Sequence, residues 1–225
     1  MSAHLTEEEQ IEAFKRWWKE NGKNTLTAIV LALAVYFGWQ GWQNNQQAKR
    51  ENASVLFQQM SEIAAIEPGI ELSQQQLIEV ASLGEQLKDG YAKSFYAVSA
   101  AMLMAKYAVD QGNLDEAKTQ LGWAKEHNRD AALTPVIDLR LARLHLAAGE
   151  LDQALALVKV APATEFGSSY AEVRGDVLAA QGDTDGAREA YQLALDTLPD
   201  DQSSRRRFLL MKRDQYATEV VAEAE

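Results

Sequence analysis

The side chains that most often perform chemistry are scarce in this chain and poorly placed for it. Its 225 residues contain no cysteine, which removes a Cys nucleophile, a thiolate metal site and any disulfide framework. Three histidines, His4, His127 and His145, lie too far apart in sequence to form a ligand-spaced pair. His145 stands between Leu144 and Leu146, where a packed or groove-lining imidazole is the reading favoured over a metal ligand. Carboxylates are plentiful, 33 Asp and Glu against 22 Lys and Arg, but they spread along helix surfaces as solvated faces do. There is no GxGxxG, P-loop, GxSxG or haem-attachment CxxCH. The net charge of −11 opposes a nucleic-acid footprint. These observations predict a protein that is not an enzyme, with no catalytic residue, no cofactor and no metal.

The informative features are the elements themselves. With 36 alanines and 4 prolines, the composition favours helix nearly everywhere. From Asn24 to Ala48 there is no charged residue, and Leu26 to Trp39, extended by Gly41 and Trp42, is almost wholly apolar. As a helix this run measures roughly 25 Å, near the lower limit for crossing a bilayer. Trp17 and Trp18 precede it and Trp39 and Trp42 end it, as interfacial rings would. Lys15, Arg16, Lys19 and Lys23 flank one side and only Lys49 and Arg50 the other, which predicts a cytoplasmic N-terminus and a body outside the cytoplasm. A buried core helix is the rival reading. So is a cleaved signal peptide, but Ala32-Leu33-Ala34 lies inside the apolar run and leaves too short a hydrophobic region before it.

The remainder reads as an acidic helical body. An amphipathic stretch with Val55, Leu56, Met60, Ile63 and Ala64 runs to about Ile66, and Pro68-Gly69 ends it. Ser73 with Gln76 forms a capping-box pattern opening a helix to about Lys88, with Asp89-Gly90 as the next break. Thereafter the frame Gly-x-x-Asp-x-Ala occurs at Gly112–Ala117, Gly149–Ala154 and Gly182–Ala187, offsets close to the tetratricopeptide period. Small residues Ala105, Ala142 and Gly175 precede the turns. Leu121, Val158 and Tyr191, then Ala124, Ala161 and Ala194, follow the frame alanines, and Pro199 closes the third repeat. The expected fold is all-α: a single N-terminal transmembrane helix followed by a tetratricopeptide-like helical-hairpin solenoid. Residues 1–24 form a cytoplasmic segment, 25–43 the transmembrane helix and 44–90 membrane-proximal helices that suit a degenerate repeat. Residues 91–200 form three repeats, and 201–225 a capping helix with Phe208, Leu209, Met211 and Tyr216 inward.

In such stacks the A helices line a concave face that takes peptides or partner helices. Alignment on the small residues places Met102, Lys106 and Val109 there from the first repeat, Val136, Leu139, Arg143 and Leu146 from the second, and Glu172, Asp176 and Ala179 from the third. Arg143 and Asp176 occupy equivalent positions, so pairing between them is the plain structural alternative. Arg205-Arg206-Arg207 reads as a solvated helix face rather than a phosphate or lipid-headgroup contact.

The stretch from Glu9 to Lys23 (Glu-Gln-Ile-Glu-Ala-Phe-Lys-Arg-Trp-Trp-Lys-Glu-Asn-Gly-Lys), with the anchor end Gly38-Trp-Gln-Gly-Trp42, resembles the start of the YfgM-type ancillary SecYEG translocon subunits. Leu139–Ala154 and Val173–Gly182 are similar to that family's repeats, and the resemblance covers nearly the full length. It implies a single-pass bacterial inner-membrane protein with its repeat domain in the periplasm. It further implies association with the SecYEG translocon and the parvulin-type periplasmic chaperone PpiD, and a role in passing unfolded secretory chains to periplasmic chaperones. Membrane lipid would be met only through the anchor. A second class of function, an assembly factor in cytochrome c or envelope biogenesis, shares the same architecture.

Overall fold

A computed structural model of the chain describes residues 7–64, 72–162 and 165–216. Among these residues there are nine helices and no strand: α1 (Glu7–Ala64), α2 (Gln74–Tyr91), α3 (Phe95–Asp110), α4 (Leu114–His127), α5 (Thr134–Ala147), α6 (Leu151–Val158), α7 (Gly167–Ala180), α8 (Thr184–Asp196) and α9 (Ser203–Gln215). The chain divides into two compact units, Met1–Asn52 and Ala53–Glu225. The expected Pro68-Gly69 break, the first six residues and the end of the capping segment beyond Tyr216 lie outside the described residues.

In the first unit, α1 carries the apolar run with its side chains bare. Val35 and Phe37 are 72% and 64% exposed, although burying such a side chain fully is worth about 1.5–3 kcal/mol. Among the described residues this is the one helix long and apolar enough to cross a membrane. The hydroxyls of Thr25 and Thr27 donate to the carbonyls of Asn21 and Lys23, so these two present no open donor to an apolar surrounding. Trp39 and Trp42 pack together at the C-terminal end, ring centroids 5.2 Å apart.

In the second unit, α3/α4, α5/α6 and α7/α8 are the three A/B hairpins. Each turn reverses at a left-handed glycine: Gly112, Gly149 and Gly182 have φ of 74°, 75° and 83°, a region that disfavours any side chain. The following amide reaches back five residues in each, Asn113 to Ala108, Glu150 to His145 and Asp183 to Leu178, at 2.8, 2.8 and 3.0 Å, closing the last carbonyls of the A helix as a Schellman motif does. Asp115, Asp152 and Asp185 then lie in the first turns of α4, α6 and α8, where a carboxylate complements the helix dipole. Asn113 and Asp183 cap α4 and α8 by accepting from the amides of Glu116 and Gly186.

The frame alanines Ala117, Ala154 and Ala187 are all fully buried, as are Ala124 and Ala194. Ala161 departs from the pattern: α6 stops at Val158, and Ala161 is exposed just before Pro162, a position that disfavours helix. The Asp89-Gly90 break is also corrected, since α2 continues through it to Tyr91. A single helical glycine costs only about 1 kcal/mol, and fully buried Leu87 anchors that turn. The Ser73–Gln76 capping box is present. Ala53 and Met60 of α1 share an apolar cluster with Val80, Leu83 and Leu87 of α2 and Ala97 and Ala100 of α3.

At the far end, α9 inserts Leu209, fully buried, among Ala171, Tyr191, Leu195 and Leu198. Leu210 and Tyr216 flank it. Phe208 and Met211, expected inward, are instead 46% and 61% exposed: Leu209 takes the inner position, and its two neighbours at one and two residues' remove turn away on the helix.

Candidate functional site

The A helices α3 and α5 and the end of α1 border an open cleft. One part, about 430 Å³, is lined by Phe57, Ser61, Leu103 and Leu133 among others. A second part, about 340 Å³, is lined by Val109, Asp110, Leu121, Arg143 and Leu144. Met102, Lys106 and Arg140 line both, so the parts form one groove with an apolar floor and a cationic rim.

The predicted face divides into three groups. Met102, Lys106, Val109 and Arg143 lie on the groove, and Val136 is half-buried against the core cluster behind it. Leu139 is not on an exposed face: it is 5% exposed among Ala142, Ala154, Val158, Tyr170 and Val173, and Leu146 packs against the same cluster. Helix α5 points these two leucines at the next repeat, because α6 and α7 cover that side. Arg140, one residue from Leu139, is the groove residue that the alignment missed. Its spacing from Val136 and Arg143, four and three residues, is the helical signal that identifies it.

The third group is already occupied from within the chain. Glu172 accepts from Arg205 at 2.8 Å and from Lys212 at 3.2 Å. Asp176 accepts from Lys212 at 2.8 Å and from the Tyr191 hydroxyl at 2.8 Å. Ala179 lines a cavity of about 370 Å³ with Asp176, Tyr191, Lys212 and Tyr216. The expected Arg143–Asp176 pair does not form, because Lys212 takes Asp176; among the described residues Arg143 makes no ion pair. Nor is the triple arginine simply solvated. Arg205 clamps Glu172 and Ser169, Arg206 reaches Asp200, and Arg207 is exposed.

This latch shapes local titration. Burial pushes the Glu172 carboxyl up, but the Arg205 and Lys212 contacts outweigh it and hold it below the ordinary value. Burial, then the bond to Asp176, raises the Tyr191 hydroxyl. Burial, then the charge of Asp138, pushes Tyr170 up to about 12.

His127 and His145 have structural partners. His145 Nδ1 lies 2.5 Å from Glu150 Oε2, and Glu150 Oε1 lies 2.6 Å from Lys118 of the preceding repeat. Lys118 in turn pairs with Asp115, so the chain of charges ties the first hairpin to the second. Hydrogen bonds from Lys118 and His145 hold Glu150 below its ordinary value. His127 stacks on Trp123 with centroids 4.0 Å apart. Among the described residues no group of three His, Cys, Asp or Glu side chains is arranged to hold a metal.

The family model of the tetratricopeptide repeat-like domain matches residues 15–218. Three curated relatives carry the name ancillary SecYEG translocon subunit. The one from Aggregatibacter actinomycetemcomitans is 31% identical over 86% of this chain and 91% of its own length. That from Escherichia coli is 29% identical over 85% and 88%. That from Neisseria gonorrhoeae is 29% identical over 95% and 99%. Matches of that extent take in the apolar helix as well as the repeats, and the chain belongs to the family of ancillary SecYEG translocon subunits with a tetratricopeptide repeat-like domain.

Proposed function

We propose that this chain is a non-enzymatic, membrane-tethered interaction protein that associates with the SecYEG translocon. Its apolar helix holds it in the bacterial inner membrane with the N-terminus in the cytoplasm. Its repeat domain then stands in the periplasm, where it links emerging secretory chains to periplasmic chaperones, PpiD among them. The observation that carries this reading is the full-length similarity to relatives named for the translocon. The four-to-two excess of Lys and Arg on the N-terminal side of the span supports the orientation. The open groove on the A helices supports protein recognition rather than catalysis, since its lining is apolar and cationic and presents no nucleophile paired with a base.

The test is purification of the intact protein from mild detergent with identification of what travels with it. Recovery of SecYEG subunits and a periplasmic chaperone is expected. Recovery of haem-handling or envelope-assembly proteins, with no channel subunit, would overturn the reading.

A further inference from the structure

We propose that the groove bordered by α1, α3 and α5 is a docking site for a peptide segment that interleaves apolar side chains with carboxylates. This rests on the proposed role in protein recognition and names the chemistry of the segment recognised. The floor is apolar along both parts of the groove, from Phe57 and Leu103 to Val109 and Leu144. The combined space exceeds what one side chain fills, so several residues of a partner can enter.

The charge on the rim selects among such partners. Arg140 and Arg143, one helical turn apart on α5, are both exposed, and among the described residues neither makes an ion pair. Lys106 is matched by Asp110, the one carboxylate lining the groove, at 2.8 Å. Two guanidiniums therefore remain over an apolar floor, in a chain whose carboxylates outnumber its cations. A guanidinium keeps its proton, is weakly hydrated and matches a carboxylate in bidentate fashion.

In the third repeat the charge at the register of Arg143 is matched within the molecule. There Asp176, at the register of Arg143, is paired with Lys212 of α9, and Glu172, at the register of the buried Leu139, is paired with Arg205 and Lys212. Arg143 stands where Asp176 stands, with the sign reversed. By charge complementarity the segment that fills the groove beside Arg140 and Arg143 is acidic.

The test uses the full chain in detergent micelles and three fluorescein-labelled peptides of alternating Leu with Glu, Gln or Lys, read by anisotropy. The Leu/Glu peptide is expected to bind about tenfold more tightly than the Leu/Gln peptide, the magnitude of a charge-assisted hydrogen bond. The preference should weaken as salt is raised. Arg140→Glu with Arg143→Glu should transfer the preference to the Leu/Lys peptide, which a folding defect cannot do. Arg140→Gln with Arg143→Gln should abolish the difference between the peptides. Equal affinity of the unaltered protein for all three peptides, or no binding of any, would overturn the proposal. So would a self-association that sedimentation shows to be lost in the charge-reversed protein, because the groove would then be filled by a second copy. Loss of the peptide preference with SecYEG recovery intact sinks this site alone, whereas an intact preference without SecYEG recovery sinks the translocon reading alone.

Discussion

Gly175 lies under the ring of Tyr191, and a methyl group added there would sit 2.6 Å from ring carbon Cε1. The ring cannot swing away cheaply, because its hydroxyl donates to Asp176 and its face stacks on Tyr216. Gly175→Ala is therefore expected to destabilise the protein by about 1–3 kcal/mol, as overpacking does. Gly122 is the control: its added methyl meets nothing within 4 Å, and Gly122→Ala should stabilise by up to about 1 kcal/mol through helix propensity. Chemical denaturation of both variants checks the sign. A second expectation at this scale concerns Glu172, whose folded carboxyl titrates below the ordinary value of 4.5. A depressed carboxylate contributes stability that is present above the unfolded value and is lost as pH falls through the folded one. Stability should hold at neutral pH and decline below about pH 4.5, with a shallower decline in Glu172→Gln. Superimposable pH profiles would show that the α9 latch contributes nothing.

Ala154 is fully buried among Leu139, Ala142 and Val158, where α5 and α6 approach closely, whereas Gln153 beside it is exposed. Ala154→Leu should lower stability by about 1–3 kcal/mol, and Gln153→Glu should be nearly silent; equal melting temperatures would contradict the packing. The hairpins were legible in the sequence because their cause is local. A glycine with positive φ, an acidic first turn and a small residue at a helix crossing each leave a fixed mark at a fixed offset. What escaped was tertiary in origin. Which side of α5 faces α7 decides that Leu139 is core and that Arg140 rims the groove, and helical spacing alone admits a rotation of that size. Glu172 departs from its register: the equivalent residues Met102 and Leu139 are apolar and buried in clusters shared with the next repeat, and a charge at that register marks where the stack meets its cap. The early end of α6 follows from Pro162, a signal outside the repeat frame.

The chain joins an apolar helix that water does not favour to an acidic repeat domain whose described residues border an open groove. The tether is a separate matter, because its bare apolar surface requires lipid or another membrane helix around it. The most direct measurement is in-cell photo-cross-linking with a reactive residue placed in turn at each position from Ile29 to Phe37, the most exposed part of the span. Adducts with a SecYEG subunit are expected at positions recurring along one helical face. Adducts confined to haem-handling or envelope-assembly proteins, with no channel subunit at any position, would contradict the translocon association.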